Sequence, residues 1–445
     1  MTGLMGRIRG WRLMPAVVVA VGLLAACGED STPTSTSPTP GAIPTLDSAT
    51  QVTITFLSYN YGTPGLGGQG TQALIDAFEK AHPNITIKPQ GVPVKDVLTK
   101  LRTDTAAGTP PDVAQIGWSK MAEAVEALPV VPVQQIPPEA EWKEHTAGMS
   151  PRILSAVADD GLVKSMPYTM SIPILYYNAD LFRAAGLDPA KPPATIEEVR
   201  EYALAIKAKG SEGVYYAIAD TSKSDFLTQS VVNSNGGSLV GGDGEVTVDS
   251  SAAVQALTTM QDLTTSGAQP AVNSDSAVAA FNSGKLGMLV TSTALMAGAQ
   301  KAADGKFELR TAGFPAFGDK PAKPTYSGAG LAVLARDDAH KRAAWEFIKF
   351  VTSEEGFEII TSRIGYLPLR DSVATKLADT PIMKLLEPSI SQLDTVTPYT
   401  SFNGTKANQA VVTLQDEAVE PIVLRGADPG PTLASAADKI RRLTA

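Results

Sequence analysis

The chain has one cysteine, Cys27, and three histidines, His82, His145 and His340, among 445 residues. A single thiol forms no internal disulfide, so burial alone must stabilise the fold. The histidines are scattered, and no cluster of His, Cys and acids has metal-ligand spacing, which argues against a zinc centre. Basic residues are outnumbered 37 to 46 by acidic ones, a formal net charge of −9. Nucleic acid requires a basic face, so this balance excludes it as a partner. It also disfavours broad docking on anionic lipid. The sequence contains no G-x-S-x-G elbow and no HExxH zinc motif. Beyond the first 26 residues the apolar runs are short and interrupted, so no second membrane span is expected.

What is present begins at the N-terminus. Arg7, Arg9 and Arg12 precede an apolar run at 13–26, and Cys27 follows at once. This is the pattern of a secretory signal. The run is too short to span a membrane, which takes roughly 20 apolar residues. Leu24-Ala25-Ala26-Cys27 resembles the lipobox of bacterial lipoproteins. That resemblance implies cleavage after residue 26, lipidation of Cys27 and a lipid anchor in the membrane, stable if two or more acyl chains are attached. Losing the signal removes three arginines and no acid, so the mature chain is more negative still. Residues 27–50 are expected to be a disordered tether. Their centre, STPTSTSPTP at 31–40, has no large apolar side chain to offset chain entropy.

From residue 51 the pattern becomes globular. The alternating, β-branched QVTITFLS at 51–58 predicts a strand. Thr71 is placed to cap a helix in which Leu74, Ile75, Phe78 and Ala81 share a face, ended by Pro83. A strand at 84–88, a helix carrying Val94, Val97, Leu98 and Leu101 and closed by Gly108, and a strand at 112–117 follow. Strand and helix in alternation predict a parallel α/β sheet. Further on, the chain predicts a strand at 173–178, a helix at 194–209 capped by Thr195, and a turn at Asn235-Gly236-Gly237. Strands at 286–291 and 331–334 come next, then a helix capped by Asp338 and a mainly helical C-terminal third.

Seven segments, in order, carry a family resemblance. They are FEKAHPNITIK (78–88), GTPPDVAQIG (108–117), YYNADLFRAAGLD (176–188), NSNGGSL (233–239), FNSGKLGMLVT (281–291), AAWEFIKFVTSEEG (343–356) and IGYLPLR (364–370). Each alone is weak. Together, behind a lipoprotein-like signal, they resemble the family 1 extracellular solute-binding proteins of ABC importers, a group that includes maltose and glycerol-phosphate binders. The resemblance implies an α/β, two-lobed periplasmic-binding-protein-like fold of type II. Its lobes are joined by crossing strands and close on a ligand held between them. Lobe 1 is then expected at 51–171 plus 290–328, and lobe 2 at 172–289 plus 329–445. It also implies a monomer without cofactor that catalyses nothing. Such a protein would take a small-molecule ligand, a sugar by preference, to membrane permease subunits of an ABC importer from the extracytoplasmic face.

A sugar offers hydroxyls and apolar C–H faces, so its site needs flat aromatics and short polar groups. Open α/β sheets place ligands beyond the carboxyl ends of their strands. On that basis Tyr59 and Asn60, after the first strand, and Trp118, in a loop after the third, are candidate ligand residues. The alternative for each is ordinary packing. Phe226, with Gln229, precedes a glycine turn and is a further candidate. By resemblance, so are Ser292 after the strand at 286–291, Tyr326, Ser327, Gly328 and Ala329 at a hinge crossing, Tyr366 in the GYLP segment, and Asn403 in a late loop. Tyr177, Asn178 and Arg370 read as structural, Arg370 as part of an ion pair. Glycerol-phosphate binders of this group place a basic residue near the late loop. Here that loop, SFNGTK at 401–406, holds Lys406 and no arginine, which favours an uncharged saccharide.

Gly65-Leu66-Gly67-Gly68-Gln69-Gly70 matches the dinucleotide fingerprint G-x-G-x-x-G. The connection from Tyr59 is too long for that motif's tight turn, and no acid ends the second strand to hold a ribose. A flexible loop at a helix N-terminus is expected instead. A secreted glycosidase is the enzyme alternative, and a ligand-presenting sensor lipoprotein or a glycerophosphodiester or polyol binder are the others. A glycosidase needs two carboxylates roughly 5 to 10 Å apart across a cleft, and no such pair stands out.

Overall fold

The structure is a computed structural model that describes residues 42–63, 66–155, 157–159, 161–242 and 244–445. The signal, Cys27 and most of the expected tether lie outside the described residues.

The first strand is β1 (Val52–Ser58), whose alternation gives it two apolar faces. Ile54 and Phe56 pack on one side, where Phe56 meets Phe347 with ring centroids 5.0 Å apart. Leu57 packs on the other side, with Leu98, Leu101 and Met121. Full burial of each such side chain is worth about 1.5–3 kcal/mol. Helix α1 (Leu66–Ala81) leads to β2 (Ile85–Gly91), and α2 (Val97–Ala106) leads to β3 (Val113–Gly117). Strands β2 and β3 flank β1 in parallel, as the strand–helix alternation requires. Helix α3 (Trp118–Ala127) then starts without any loop, with Gly117 as its N-cap.

The chain leaves this sheet through β4 (Ser165–Ser171) and, after Ile172 alone, enters a second sheet as β5 (Pro173–Asn178). The second sheet also holds β6 (Glu212–Tyr216), β7 (Leu286–Ser292) and β8 (Leu309–Ala312), ordered β8-β5-β7-β6. Only β6 and β7 run parallel in it. Helix α4 (Phe226–Ser234) follows β6. The long strand β9 (Thr325–Val333) returns to the first sheet, antiparallel to both β3 and β4. At its start, Thr325 is bonded to α4 of the second lobe: its N–H donates to Ser230 Oγ at 2.9 Å. Beyond β9, α5 (Asp338–Val351) and α6 (Glu354–Arg363) cover the first sheet, and Phe347 on α5 packs against β1 and α1. The last helices, among them α7 (Ala407–Leu414), pack together near the carboxyl end.

Two sheets joined by β4–β5 and by β9 make two lobes. Their division of the chain differs from the expected boundaries. Residues 290–292 and 309–312 belong to the second sheet, where 290–328 was expected in lobe 1. Strand β9 and helix α5 belong to the first sheet, where everything from 329 was expected in lobe 2. The short apolar strands look alike in sequence, and only their pairing assigns them.

Three local expectations are corrected by packing. Helix α1 begins at Leu66, not after a cap at Thr71, whose hydroxyl instead donates to the Gly67 carbonyl at 2.9 Å. The glycine-rich segment is therefore the first turns of a helix and not a flexible loop. A Cβ at Gly70 would lie 2.5 Å from Cγ1 of Ile364, so that glycine permits close helix packing. Second, the tether expected through residue 50 is attached to the fold from Ile43. Ile43 N–H donates to Ile136 O at 2.8 Å, and the buried Arg342 donates to Ile43 O and Thr45 Oγ1. Ile43 and Leu46 are the apolar side chains that make this docking favourable. Third, Arg370 forms no ion pair among the described residues. Its guanidinium donates to the carbonyls of Thr352, Ala147 and His145.

Candidate functional site

Tyr59 and Asn60, just past β1 in the first lobe, line one cavity with Ala294 and Leu295, just past β7 in the second. Open α/β sheets bind ligands at such ends. Three groups of side chains gather there.

Trp118 opens the first group. As residue one of α3 it projects from the end of β3, and it is only 8 % exposed. Its indole meets the Tyr326 ring edge-on, with centroids 5.8 Å apart and an interplanar angle of 86°. Both line a cavity of about 560 Å³ together with Asn403, Phe402, Lys164 and Glu126. The Trp118 Nε1–H is buried and meets no acceptor among the described residues. A buried donor without an acceptor costs free energy unless something else accepts from it. Tyr326 also lines a second cavity of about 500 Å³, beside Met149, Met170 and Leu369.

Tyr59, Asn60 and Tyr366 form the second group, around a smaller cavity of about 250 Å³ that reaches across to Tyr176 and Leu289. Tyr366 donates to Asn60 Oδ1 at 3.2 Å, and Asn60 N–H donates to Gln115 Oε1 at 3.3 Å. Burial, with Tyr366 alongside, pushes the Tyr59 hydroxyl well above its ordinary pKa. Burial pushes Tyr366 up to about 12. Both therefore remain neutral hydrogen-bonding groups. Asn60 Nδ2 and Gln115 Nε2 are buried donors without a protein acceptor.

The third group was not anticipated from the sequence. Lys120 on α3 is 3 % exposed, and the charges of Asp225 and Asp220, which follow β6 in the other lobe, act on it. Asp225 is fully buried. It accepts from Tyr399 Oη at 2.7 Å and from Gln229 Nε2 at 3.0 Å. Gln229 in turn exchanges two hydrogen bonds with the Thr400 backbone. Burial drives Lys120 below its ordinary pKa and raises both aspartates. Residue 223, a lysine between the two aspartates, has φ of 56°, and its side chain is ion-paired with Asp416 and Glu420. That backbone signal is invisible without coordinates.

The remaining candidates serve the frame and line none of these cavities. Gly328 faces β4 so closely that a Cβ on it would lie 1.8 Å from Thr169 O. Ala329 is buried between Gly117 and Thr169 in the sheet, and Ser327 pairs with Ser171. Ser292 Oγ accepts from Ala294 N–H, and its carbonyl accepts from Tyr176 Oη. Phe226 is buried at the start of α4. Tyr177 donates to Pro189 O, and Asn178 caps the helix Ala179–Ala184, as their structural reading implied. Trp118 and Tyr59, expected together, line separate cavities. Among the described residues no group of three or more His, Cys, Asp or Glu side chains could hold a metal ion. No described helix is long and apolar enough to cross a membrane.

Comparison with known proteins agrees with this two-lobed arrangement. The acarbose-binding GacH receptor of Streptomyces glaucescens superposes with a TM-score of 0.76 at 22% identity, over 88% of this chain and 98% of that one. The UgpB of Mycobacterium tuberculosis, solved with glycerophosphocholine, gives 0.74 at 22% identity, over 88% and 98%. In sequence, the sn-glycerol-3-phosphate-binding periplasmic protein of Brucella melitensis is 27% identical over 350 residues, 75% of this chain and 79% of that protein. The family model described as bacterial extracellular solute-binding protein matches residues 62–356, from the loop after β1 to α6. That span contains both crossings between the lobes and most of the side chains gathered at their junction. The chain belongs to the bacterial extracellular solute-binding proteins.

Proposed function

We propose that the protein captures an uncharged saccharide between its lobes and delivers it to an ABC importer, from the outer face of a membrane to which Cys27 anchors it as a monomer. The observation that carries the ligand class is the Trp118–Tyr326 cavity. Its volume of about 560 Å³ falls in the range of small-molecule sites, roughly 300–1,000 Å³. An indole face and an unpartnered indole N–H suit a sugar's C–H face and a hydroxyl at its rim. Tyr59, Asn60 and Tyr366 supply neutral hydroxyl and amide groups on the other side of the same junction. The solved relatives named for acarbose and for a cyclic maltosyl-maltose support the class.

A glycerophosphodiester is the second reading, favoured by relatives named for glycerol phosphate. Against it, the loop at 401–406 holds no arginine. Arg102 does reach this loop, donating to Thr405 O at 3.3 Å, but it is ion-paired with Glu123. The protein leaves its ligand unchanged, since the matched family consists of binding proteins.

A thermal-shift screen of residues 27–445 against sugars, polyols and glycerophosphodiesters tests the reading. A ligand at 100 times its Kd stabilises by about 2.7 kcal/mol. Mass spectrometry of ligand recovered after long incubation should show it intact. Product that accumulates with time would establish an enzyme instead.

A further inference from the structure

A cavity of about 1000 Å³, larger than those at the junction, lies apart from the three groups described above. The first lobe contributes Gln69 of α1 and Arg363 at the end of α6 to its wall. The second contributes β8 and the helices Met296–Ala303 and Pro381–Ser391, which pack on one another. The helix Met296–Ala303 divides this space from the Tyr59 cavity. Ala297, Gln300 and Lys301 share one face by their spacing and line the larger cavity, whereas Gly298 and Ala299 line the smaller one. Neighbouring residues of a strand point to opposite faces of its sheet. On β5, Tyr177 accordingly reaches the larger cavity and Tyr176 the smaller.

The lining of this cavity inverts the sign of the chain's charge. Lys301, Arg310, Arg363 and Lys384 line it against two acids, Asp304 and Glu387, whereas the whole chain carries −9. Arg310 is ion-paired with Glu308 and donates to Pro189 O at 3.1 Å, which fixes its guanidinium. Lys301, Arg363 and Lys384 are exposed and form no ion pair or side-chain hydrogen bond among the described residues. Neither acid of the cavity lies within 4 Å of these three charges, so neither neutralises them directly. Cations gathered around a concave site focus their field into it and draw an anion.

We infer that this cavity is a second binding site, separate from the ligand cavities at the junction, for a small molecule that carries two or more phosphate or carboxylate charges. Its volume of about 1000 Å³ reaches the top of the range of small-molecule sites, roughly 300–1,000 Å³. The Arg363 guanidinium presents a planar fork that matches a phosphate or carboxylate, and Lys301 and Lys384 supply point charges from the other lobe. A single anionic group answers one of these cations, and a multiply charged molecule answers all three. Gln69 and Gln300 add neutral donors beside them. The site stands whether or not the junction takes a saccharide.

Calorimetric titration of residues 27–445 with inorganic pyrophosphate and with citrate, at fixed ionic strength, tests the inference. At least one of the two should bind saturably at one site per chain, and more weakly as salt is raised. Lys301→Gln and Lys384→Gln should each weaken that binding about threefold, the scale of an exposed charge pair, and the double variant roughly tenfold. Ligand-free melting curves show that these variants are folded. Trp118→Ala, titrated in parallel, should keep the anion affinity of the unaltered chain. Absence of saturable binding by both anions at millimolar concentration overturns the inference. So does unaltered affinity in the folded double variant, or loss of anion binding in folded Trp118→Ala, which would place the anion at the junction. Sedimentation with phosphatidylglycerol vesicles separates a lipid headgroup from a free anion. Vesicle binding that the double variant abolishes, without pyrophosphate or citrate binding, would assign the cations to the membrane and overturn the small-molecule site.

Discussion

The Trp118 indole stands at 86° to the ring of Tyr326, 5.8 Å away. The contact ties the first turn of α3 to the first residues of β9, where that strand leaves the second lobe. It also fixes two walls of the cavity proposed for the ligand. Trp118→Ala should weaken sugar binding at least tenfold, about 1.4 kcal/mol. Part of that is lost area and part lost stacking, worth about 0.5–1.5 kcal/mol. Titration calorimetry measures it. An unchanged Kd in a folded variant with a lower melting temperature would make Trp118 a packing residue only.

Gly328 gives a sharper test of the frame. A methyl group there would meet the Thr169 carbonyl at 1.8 Å, and that carbonyl belongs to the strand that crosses between the lobes. Backbone cannot yield as a flexible side chain does. Gly328→Ala is expected to destabilise by about 3 kcal/mol, the upper end of ordinary overpacking. A melting temperature equal to wild type would show that β9 and β4 shift apart freely.

His145 makes the fold sensitive to acid. Burial, then the nearby charges of Arg370 and Lys349, lower its pKa from 6.5 to about 3, against an opposing pull from Glu141. Its Nε2 sits 2.8 Å from Thr352 Oγ1. The folded state therefore holds the ring neutral while the unfolded state takes a proton below pH 6.5. The unfolded chain binds more protons in that window, so stability falls as pH drops from 6.5 toward 3. The slope attributable to this group reaches roughly 1.4 kcal/mol per pH unit. Urea titrations at pH 7, 6, 5 and 4 should show a shallower decline for His145→Gln. Identical pH profiles would mean that the ring takes up its proton equally in the folded and unfolded states.

Cys27 tests the anchor. Replacing it with Ala should move the protein from the membrane fraction to the medium or soluble fraction, because no described helix is able to span a bilayer. The variant's melting temperature should not change, since the contacts that attach the described N-terminal segment to the fold are made at Ile43 and Thr45. Retention of the variant in the membrane would end the lipoprotein reading.

Much of the architecture was legible in local pattern. The β1–α1–β2–α2–β3 alternation, the Thr195 cap and the Gly236 turn depend on residues a few positions apart, and each stands where its chemistry places it. The Asp338 cap was displaced by one residue: Asp337 accepts the His340 N–H. Seven motifs in order sufficed for the family, because such motifs record how strands and helices follow one another.

The junction was legible only in part. The sequence nominated Trp118, Tyr326 and Asn403, and Tyr59, Asn60 and Tyr366, but chain order does not say which aromatics share a cavity. It passed over Lys120 and Asp225, ordinary charged residues by local criteria. Their burial, and the action of each charge on the other across 105 positions of chain, arise only in the fold. Strand pairing likewise assigned β7, β8 and β9 to their sheets, and only the fold shows that Ile364 approaches Gly70 too closely for a side chain there. Sequence by itself determined most of the elements and the family, since those follow from near neighbours. Tertiary structure decided the lobes' boundaries and the membership of the site, since those depend on which distant surfaces exclude water from one another.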